Sequence, residues 1–124
     1  MEIPLKMSEV LQHEGVVAIV TQNNTVPHLV NTWNSYIHIT PDNCLLVPVG
    51  GMKQTENNLS QSQQILMTLG SREVDGFHSK GTGFLIKATA DFLSKGSEYD
   101  IMKAKFPWCR AILKIHPQNI TQTL

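Results

Sequence analysis

Six short runs rich in β-branched and other apolar residues constrain the fold more than any other feature of the chain. The first, residues 16–21, is too short and too β-branched for a helix, and it is predicted to be a buried strand. The other five cover residues 27–39, 44–49, 65–69, 84–92 and 108–115. Because most of these strands are separated by turns, the pattern favours a mainly β, six-stranded antiparallel barrel over a parallel α/β sheet. Closing a barrel also removes exposed strand edges.

The segments between the strands predict only brief helices and one long loop. Three short helices are predicted, at residues 8–13, 55–63 and 97–105. Residues 71–83 are polar and contain three glycines, which indicates a surface or ligand loop. Residues 116–124 are predicted to be a short extended tail. No repeat or linker divides the chain, so one domain over residues 1–124 is expected.

Length, composition and charge exclude several classes of protein. The chain has 124 residues, of which 41% are hydrophobic and 16% charged, as expected for one globular domain. Ten basic and ten acidic side chains cancel, so no nucleic-acid partner is expected. No apolar run approaches the roughly 20 residues of a membrane helix, and the N-terminus lacks the regions of a signal peptide. A cytoplasmic protein without membrane association is predicted.

The cysteines and histidines show no metal-ligand spacing, so no metal site is predicted. Cys44 and Cys109 each lie among apolar neighbours. They are expected to be reduced core residues of an intracellular protein, and a disulfide between them is the less favoured alternative. No local motif of a nucleophile with its base is present.

Residues 50–55 have the composition of an anion-binding turn. Gly50 and Gly51 let the backbone turn sharply and approach a ligand. Lys53 then offers a cation and Thr55 a hydroxyl where a helix is expected to begin. The segment therefore predicts a phosphate site, with a turn that merely ends the preceding strand as the alternative.

A second unusual segment, residues 27–36, precedes that turn. Four polar residues cluster around Trp33 in a strand-like run, and the segment ends in Tyr36. The solvent face of an ordinary strand would show strict alternation, which fails here. The pattern favours a site for a flat polar ring, although Trp33 and Trp108 could also be core or interface aromatics.

Residues 27–36 and 47–52 closely resemble the small FMN-binding proteins of anaerobic bacteria, which belong to the pyridoxamine 5′-phosphate oxidase-like FMN-binding split-barrel superfamily. The similarity continues through residues 69–72, residues 81–86, Trp108 and the terminal residues 122–124. It thus covers essentially the whole chain. The resemblance implies a six-stranded split barrel, a homodimer, and one FMN per subunit near the dimer interface.

The resemblance also implies roles for individual residues. The strand that meets the isoalloxazine ring would contain Val30, Asn31, Thr32, Trp33 and Asn34. Tyr36 and Trp108 would be further aromatic neighbours of the ring, Val49 and Gly50 would form the turn beside the flavin, and Thr55 would supply a hydroxyl on the phosphate side. The remaining predicted cofactor-binding residues are Lys53, Gln54, Thr82 and Leu124.

Gln54 departs from the family pattern, because members of this family often carry a phosphate-binding lysine directly before the threonine. The nearest cation is Lys53, and one residue at a helix start turns a side chain by about 100°. Loss of one lysine contact is worth roughly 1.5–3 kcal/mol, or about 10- to 150-fold in affinity. Lys53 or Arg72 could replace the missing charge.

The favoured function is an FMN-binding flavoprotein, either an electron carrier or a simple flavin redox protein. One alternative is a flavin-dependent oxidoreductase of the same superfamily that acts on a small substrate. It would not be a typical pyridoxamine 5′-phosphate oxidase, because the chain is short and has no basic cluster near its C-terminus. A further alternative is a split-barrel binding module without flavin.

Overall fold

The computed structural model describes all residues, 1–124, as one antiparallel sheet with three short helices. The helices are α1 (Leu5–Val10), α2 (Lys53–Leu59) and α3 (Ser97–Lys105). The strands are β1 (Val16–Asn23), β2 (Val26–Trp33), β3 (His38–Ile39), β4 (Leu45–Val49), β5 (Gln64–Asp75), β6 (Lys80–Leu93) and β7 (Ala111–Gln122). The mainly β, antiparallel split-barrel prediction is confirmed.

The strands are ordered β2-β1-β5-β6-β7-β4-β3 within the sheet. Hydrogen bonds do not close this order into a ring, because β2 and β3 are edges with one paired neighbour each. The chain itself crosses the gap between them through a single 3₁₀ turn, Asn34–Tyr36. The barrel is therefore split, and the residues at the split come from the segment that the sequence singled out around Trp33.

The core lies inside the curved sheet and comprises a cluster of 20 buried residues. Strand β4 is buried along its whole length, which explains its uninterrupted apolar sequence. Its Leu45, Val47 and Val49 belong to the main core, whereas Leu46 packs with Ile112 and Met102 beneath α3. Burial on both faces makes β4 a rigid support for the turn that follows it.

The structure corrects several of the predicted elements. The second predicted strand, residues 27–39, divides at the 3₁₀ turn, so that seven strands replace six. The predicted loop at residues 71–83 is mostly hairpin, because β5 and β6 extend into it and pair from Ser71 with Thr82 to Asp75 with Lys80. The tail belongs largely to β7, and α1 and α2 each begin earlier than predicted. Most of the polar residues at 71–83 and in the tail lie on exposed faces of β5, β6 and β7 rather than in loops.

Both cysteines are buried, as predicted, and no disulfide joins them. No helix is both long enough and apolar enough to span a membrane.

Candidate functional site

A pocket of 260 Å³ forms where the end of β2, the turn after β4 and the segment before β7 meet. Six residues predicted from the sequence line it, namely Asn31, Thr32, Trp33, Tyr36, Gly50 and Trp108. Pro48, Gly51 and Met52 complete the wall. The two segments that the sequence singled out therefore lie against one another.

Aromatic rings form one side of this pocket. The ring centroids of Tyr36 and Trp108 are 5.7 Å apart, and Phe106 lies 5.0 Å from Tyr36. Trp33 and Trp108 are 45% and 51% exposed. Large aromatic side chains are normally buried in a folded monomer. Two half-exposed tryptophans at one pocket therefore indicate a surface that another molecule covers.

Trp108 is held in place from below and from both sides. A Cβ atom added to Gly50 would lie 3.3 Å from two carbons of the Trp108 ring, so the ring rests on a position that has no side chain. Lys103 Nζ donates to the carbonyls of Pro107 at 2.6 Å and Cys109 at 2.7 Å, on either side of Trp108. These contacts limit the freedom of an otherwise exposed ring.

Arg110 fastens the glycine turn. Its Nε donates to the Gly50 carbonyl at 2.8 Å, and its Nη2 donates to the Gly51 carbonyl at 2.5 Å. The guanidinium is paired in turn with Glu56 of α2 at 3.0 Å, and it lies 5.3 Å from the centre of the Phe92 ring. One arginine thus ties together the turn, α2 and the segment just before β7.

The backbone beyond the glycines adopts an unusual conformation. Met52 has φ 54°, in the left-handed region that non-glycine residues seldom occupy. It precedes α2, whose first turn has no side-chain cap. Thr55 in that turn is fully buried, and its hydroxyl has no hydrogen-bond partner. Native structures rarely leave a buried hydroxyl unpaired, so a ligand oxygen fits the chemistry of this position.

Lys53 and Gln54 point to different surroundings, as expected for neighbours on a helix. Gln54 lines a polar pocket of 490 Å³ together with His28 and Asn58, and its Nε2 donates to Asn58 Oδ1 at 2.8 Å. Lys53 is exposed and makes no ion pair. No lysine or arginine lines the pocket that contains Gln54, and Arg72 lies in a different pocket.

Eight of the fourteen predicted residues do not line the aromatic pocket: Lys53, Gln54 and Thr55, described above, and Val30, Asn34, Val49, Thr82 and Leu124. Val30 and Val49 pack in or against the core. Asn34 is fully buried, and its amide donates to the His13 and Gly70 carbonyls, both at 2.9 Å. The side chain of Asn34 therefore holds the 3₁₀ turn rather than facing the pocket.

Thr82 and Leu124 line a third pocket of 610 Å³, together with Glu14 and Arg72. The Thr82 hydroxyl donates to the Leu124 carbonyl at 2.7 Å, which pins the end of the chain to β6. The Leu124 residue is nevertheless 64% exposed. These two residues do not line the aromatic pocket.

Glu14 joins the loop before β1 to the 3₁₀ turn. Its carboxylate accepts from the Ser35 hydroxyl at 2.7 Å and from the Ser35 backbone amide at 3.1 Å. These two hydrogen bonds hold the pKa of the Glu14 carboxyl below its usual value. The carboxylate consequently stays charged near the pocket that contains Thr82 and Leu124.

Sequence reasoning missed several residues that shape the aromatic pocket, notably Phe106, Arg110, Lys103 and Met52. Only Phe106 carried a local signal, because it lies two residues before Trp108. The other three act through contacts with distant backbone, or through a backbone angle that composition does not reveal.

Comparison with known proteins supplies the family. No protein-family model matches the chain. The FMN-binding protein of Nitratidesulfovibrio vulgaris (strain DSM 19637 / Miyazaki F) is 50% identical over 122 residues, covering 98% of this chain and 99% of that protein.

Two solved structures show the same fold at low identity. An FMN-binding protein from Syntrophomonas wolfei superposes with a TM-score of 0.76 at 13% identity, covering 97% of this chain and 85% of the other. A putative pyridoxamine 5′-phosphate oxidase from Lactobacillus delbrueckii gives 0.72 at 9% identity, covering 97% and 93%. The chain therefore belongs to the family of the Nitratidesulfovibrio FMN-binding protein, on the split-barrel fold of the pyridoxamine 5′-phosphate oxidase-like proteins.

Proposed function

We propose that this chain is a flavoprotein that binds one FMN per subunit at the aromatic pocket and transfers electrons. The observation that carries the proposal is the placement of half-exposed Trp33 and Trp108 beside the polar Asn31 and Thr32 around one pocket. Half of the residues are identical to those of a protein named for FMN binding.

The residues present fit such a cofactor. Trp33, Tyr36 and Trp108 would contact the flat ring, while Asn31 and Thr32 would hydrogen-bond its polar edge. When bound, FMN supplies a ring that accepts and returns one or two electrons. The protein's part is to position that ring and to limit the access of water.

At the phosphate end, the turn after β4 would supply close backbone approach at Gly50. The unpartnered Thr55 hydroxyl would donate to a phosphate oxygen. Gln54 offers a neutral amide where a lysine is frequent in the family, so less of the phosphate charge is neutralised by side chains. Retention of FMN would rest mainly on ring contacts and neutral hydrogen bonds.

A homodimer is part of the proposal. Leu29, Val20 and Leu66 lie in one row across three neighbouring strands on the outer face of the sheet. Leu29 and Leu66 are 62% and 43% exposed, and Trp33 at the pocket lies on the same face of β2 as Leu29. A second copy that covers this face would also cover the open side of the pocket. At 260 Å³ the pocket of one chain is below the usual range for small-molecule sites, about 300–1,000 Å³.

The first experiment is the visible absorption spectrum of the purified protein, followed by titration of the stripped protein with FMN. Flavin bands and about one equivalent per chain support the proposal, and Trp33→Ala should weaken binding more than the conservative Trp33→Phe. A colourless protein that does not bind FMN would favour the alternative of a split-barrel binding module without flavin.

The dimer is tested by sedimentation. Leu66→Glu should shift the protein to a monomer and weaken FMN binding, because a charge would be buried in the interface. Leu5→Glu is the control, since Leu5 is 89% exposed on α1, away from this face. Equal behaviour of the two variants would count against the proposed interface.

An oxidoreductase acting on a small substrate is the second candidate, favoured by the separate 610 Å³ pocket that Arg72, Lys80 and Thr82 help to line. This volume lies within the usual range for small-molecule sites. Steady turnover of a nicotinamide reductant by the FMN-loaded protein would favour the enzyme, whereas a single stoichiometric reduction would favour the carrier.

A further inference from the structure

A thiol, an imidazole and a carboxylate stand in a row at the end of β4 opposite the glycine turn. Cys44 Sγ lies 3.3 Å from His116 Nδ1, and His116 Nε2 lies 3.0 Å from Asp91 Oδ2. Gln63 Nε2 donates to the other Asp91 oxygen at 2.7 Å. Cys44 precedes β4, while His116 and Asp91 belong to β7 and β6, so sheet pairing brings the three together.

The partners of His116 determine which of its nitrogens faces the thiol as an acceptor. An ionised carboxylate can only accept, so Nε2 carries the ring proton and donates it to Asp91. Nδ1 then presents its lone pair to the thiol of Cys44 at 3.3 Å, and it is a nearer acceptor than Asp42 Oδ2, which lies 3.8 Å from the sulfur. The order is that of a nucleophile, a base and a carboxylate that orients the base.

The charges that face Cys44 keep its thiol neutral at rest. Burial, and next the Asp42 carboxylate, raise the pKa of Cys44, with Glu98 adding to the rise. Lys114 opposes them, but it is shared between Glu98 at 2.9 Å and Asp42 at 3.8 Å. A neutral thiol becomes a nucleophile only if a base takes its proton during attack, and His116 is placed to do so.

We propose that Cys44, His116 and Asp91 form a thiol-oxidation site for hydroperoxides, separate from the flavin pocket. As His116 accepts the thiol proton, the sulfur attacks one oxygen of hydrogen peroxide, so that an S–O bond forms and the O–O bond breaks. The leaving hydroxide takes the proton from His116 and becomes water. Cys44 thiol and peroxide thus give sulfenic acid and water, with the sulfur oxidised by two electrons and the peroxide reduced by two.

Access to the row is from solvent, since the side chains of His116 and Asp91 are 39% and 41% exposed. Cys44 itself is 5% exposed, so only a small oxidant is expected to reach the sulfur. Hydrogen peroxide meets that requirement.

Cys109 provides a matched internal control. It is also a free, buried cysteine, and burial also raises the pKa of its thiol. Its hydrogen bonds involve only its backbone: the carbonyl accepts from Lys103 and Tyr99, and the amide donates to the Phe106 carbonyl, while its sulfur makes none. Cys109 is thus a buried thiol without the imidazole, and it is 0% exposed against 5% for Cys44. The effect of the His116 and Asp91 variants, rather than the difference between the two cysteines alone, therefore identifies the role of the imidazole.

The test exposes the 124-residue chain to hydrogen peroxide with dimedone as the sulfenic-acid trap and EDTA present. Peptide mass spectrometry then follows both cysteines in one sample. Labelling at Cys44 should exceed that at Cys109 by about tenfold or more. His116→Gln should slow Cys44 by about 100-fold, since a general base commonly contributes 10²–10⁴. Asp91→Asn, at the exposed end of the row, should slow it by a smaller factor, and neither variant should change labelling at Cys109.

Equal rates at the two cysteines would overturn the proposal, as would a Cys44 rate unaffected by both variants. Circular dichroism reports whether His116→Gln remains folded. If the His116→Gln variant is unfolded, Asp91→Asn becomes the deciding variant. Loss of the carboxylate that orients His116 must then lower the labelling rate of Cys44 and leave that of Cys109 unchanged.

Discussion

Replacement of Arg110 by alanine is the sharpest test of how the glycine turn is held. The guanidinium donates to the carbonyls of Gly50 and Gly51 and pairs with Glu56. A hydrogen bond to a charged group contributes about 1.5–3 kcal/mol when well buried, and an exposed ion pair about 0.2–1 kcal/mol. The Arg110 and Glu56 side chains are 30% and 42% exposed, so water replaces part of what is lost. We expect Arg110→Ala to lower the free energy of unfolding by about 1–2 kcal/mol.

The same substitution should weaken FMN binding. Without the Arg110 side chain, the glycine turn that leads to Met52 loses its hydrogen bonds to the segment before β7. FMN binding must then restrict the conformations of the turn. If that cost is also about 1–2 kcal/mol, the dissociation constant rises about 5- to 30-fold. Flavin fluorescence quenching measures the affinity, and urea denaturation measures the stability.

Three control variants separate the contacts. Glu56→Gln removes only the ion pair and should cost less than about 1 kcal/mol. Arg110→Lys keeps the charge but cannot reproduce the forked donor set, and it should restore only part of the loss. Arg72→Ala removes an exposed arginine side chain that makes no ion pair and lies in a different pocket. The reasoning is refuted if Arg110→Ala binds FMN as well as Arg72→Ala does, or if Glu56→Gln costs as much.

Three further predictions concern the phosphate end and the Glu14 contact. Gln54→Lys should tighten FMN binding by about 10- to 150-fold in a salt-dependent manner; Gln54→Met, which also loses the bond to Asn58, should not. Thr55→Val should leave the FMN-free protein equally or more stable, because a buried unpaired hydroxyl is removed. The same variant should bind FMN about tenfold more weakly. A less stable variant with unchanged FMN affinity would contradict this role of Thr55. Glu14 has a lowered pKa in the folded state through its bonds to Ser35, so its stabilising effect is complete above the ordinary carboxyl pKa and disappears as pH falls through the lowered value. Urea denaturation of the protein and of Ser35→Ala should therefore show a stability gap at pH 7 that closes in acid, and a gap independent of pH would argue against this contact.

Much of the fold could be predicted from local pattern. The continuous apolar run of β4 reports burial on both faces. The alternation in β7 reports the face that packs in the main core, although Ile112 on its other face is also buried, beneath α3. The predicted strand boundaries were wrong where polar residues belong to the exposed face of a strand rather than to a loop. Residues 71–83 contain polar exposed faces of β5 and β6, and a polar strand end looks like a loop when its partner is unknown.

The candidate site was predictable to the extent that its residues are contiguous. Asn31, Thr32 and Trp33 form one cluster in the chain, and Gly50 follows the apolar run directly. Asn34 belongs to the same cluster, yet its side chain turns inward to backbone carbonyls. The direction of that side chain depends on the 3₁₀ turn, which closes the split between two sheet edges and leaves no local signature.

Composition and periodicity act over a few residues, so the sequence alone predicts a mainly β chain, a polar segment around Trp33 and a glycine turn. The contact of Arg110 with the carbonyl of Gly50, 60 positions away, and that of His116 with Cys44, 72 positions away, depend on the tertiary structure. Such contacts follow from the order and register of strands in the sheet, which many distant residues set together. Side chains at those distances meet only when the whole barrel has formed.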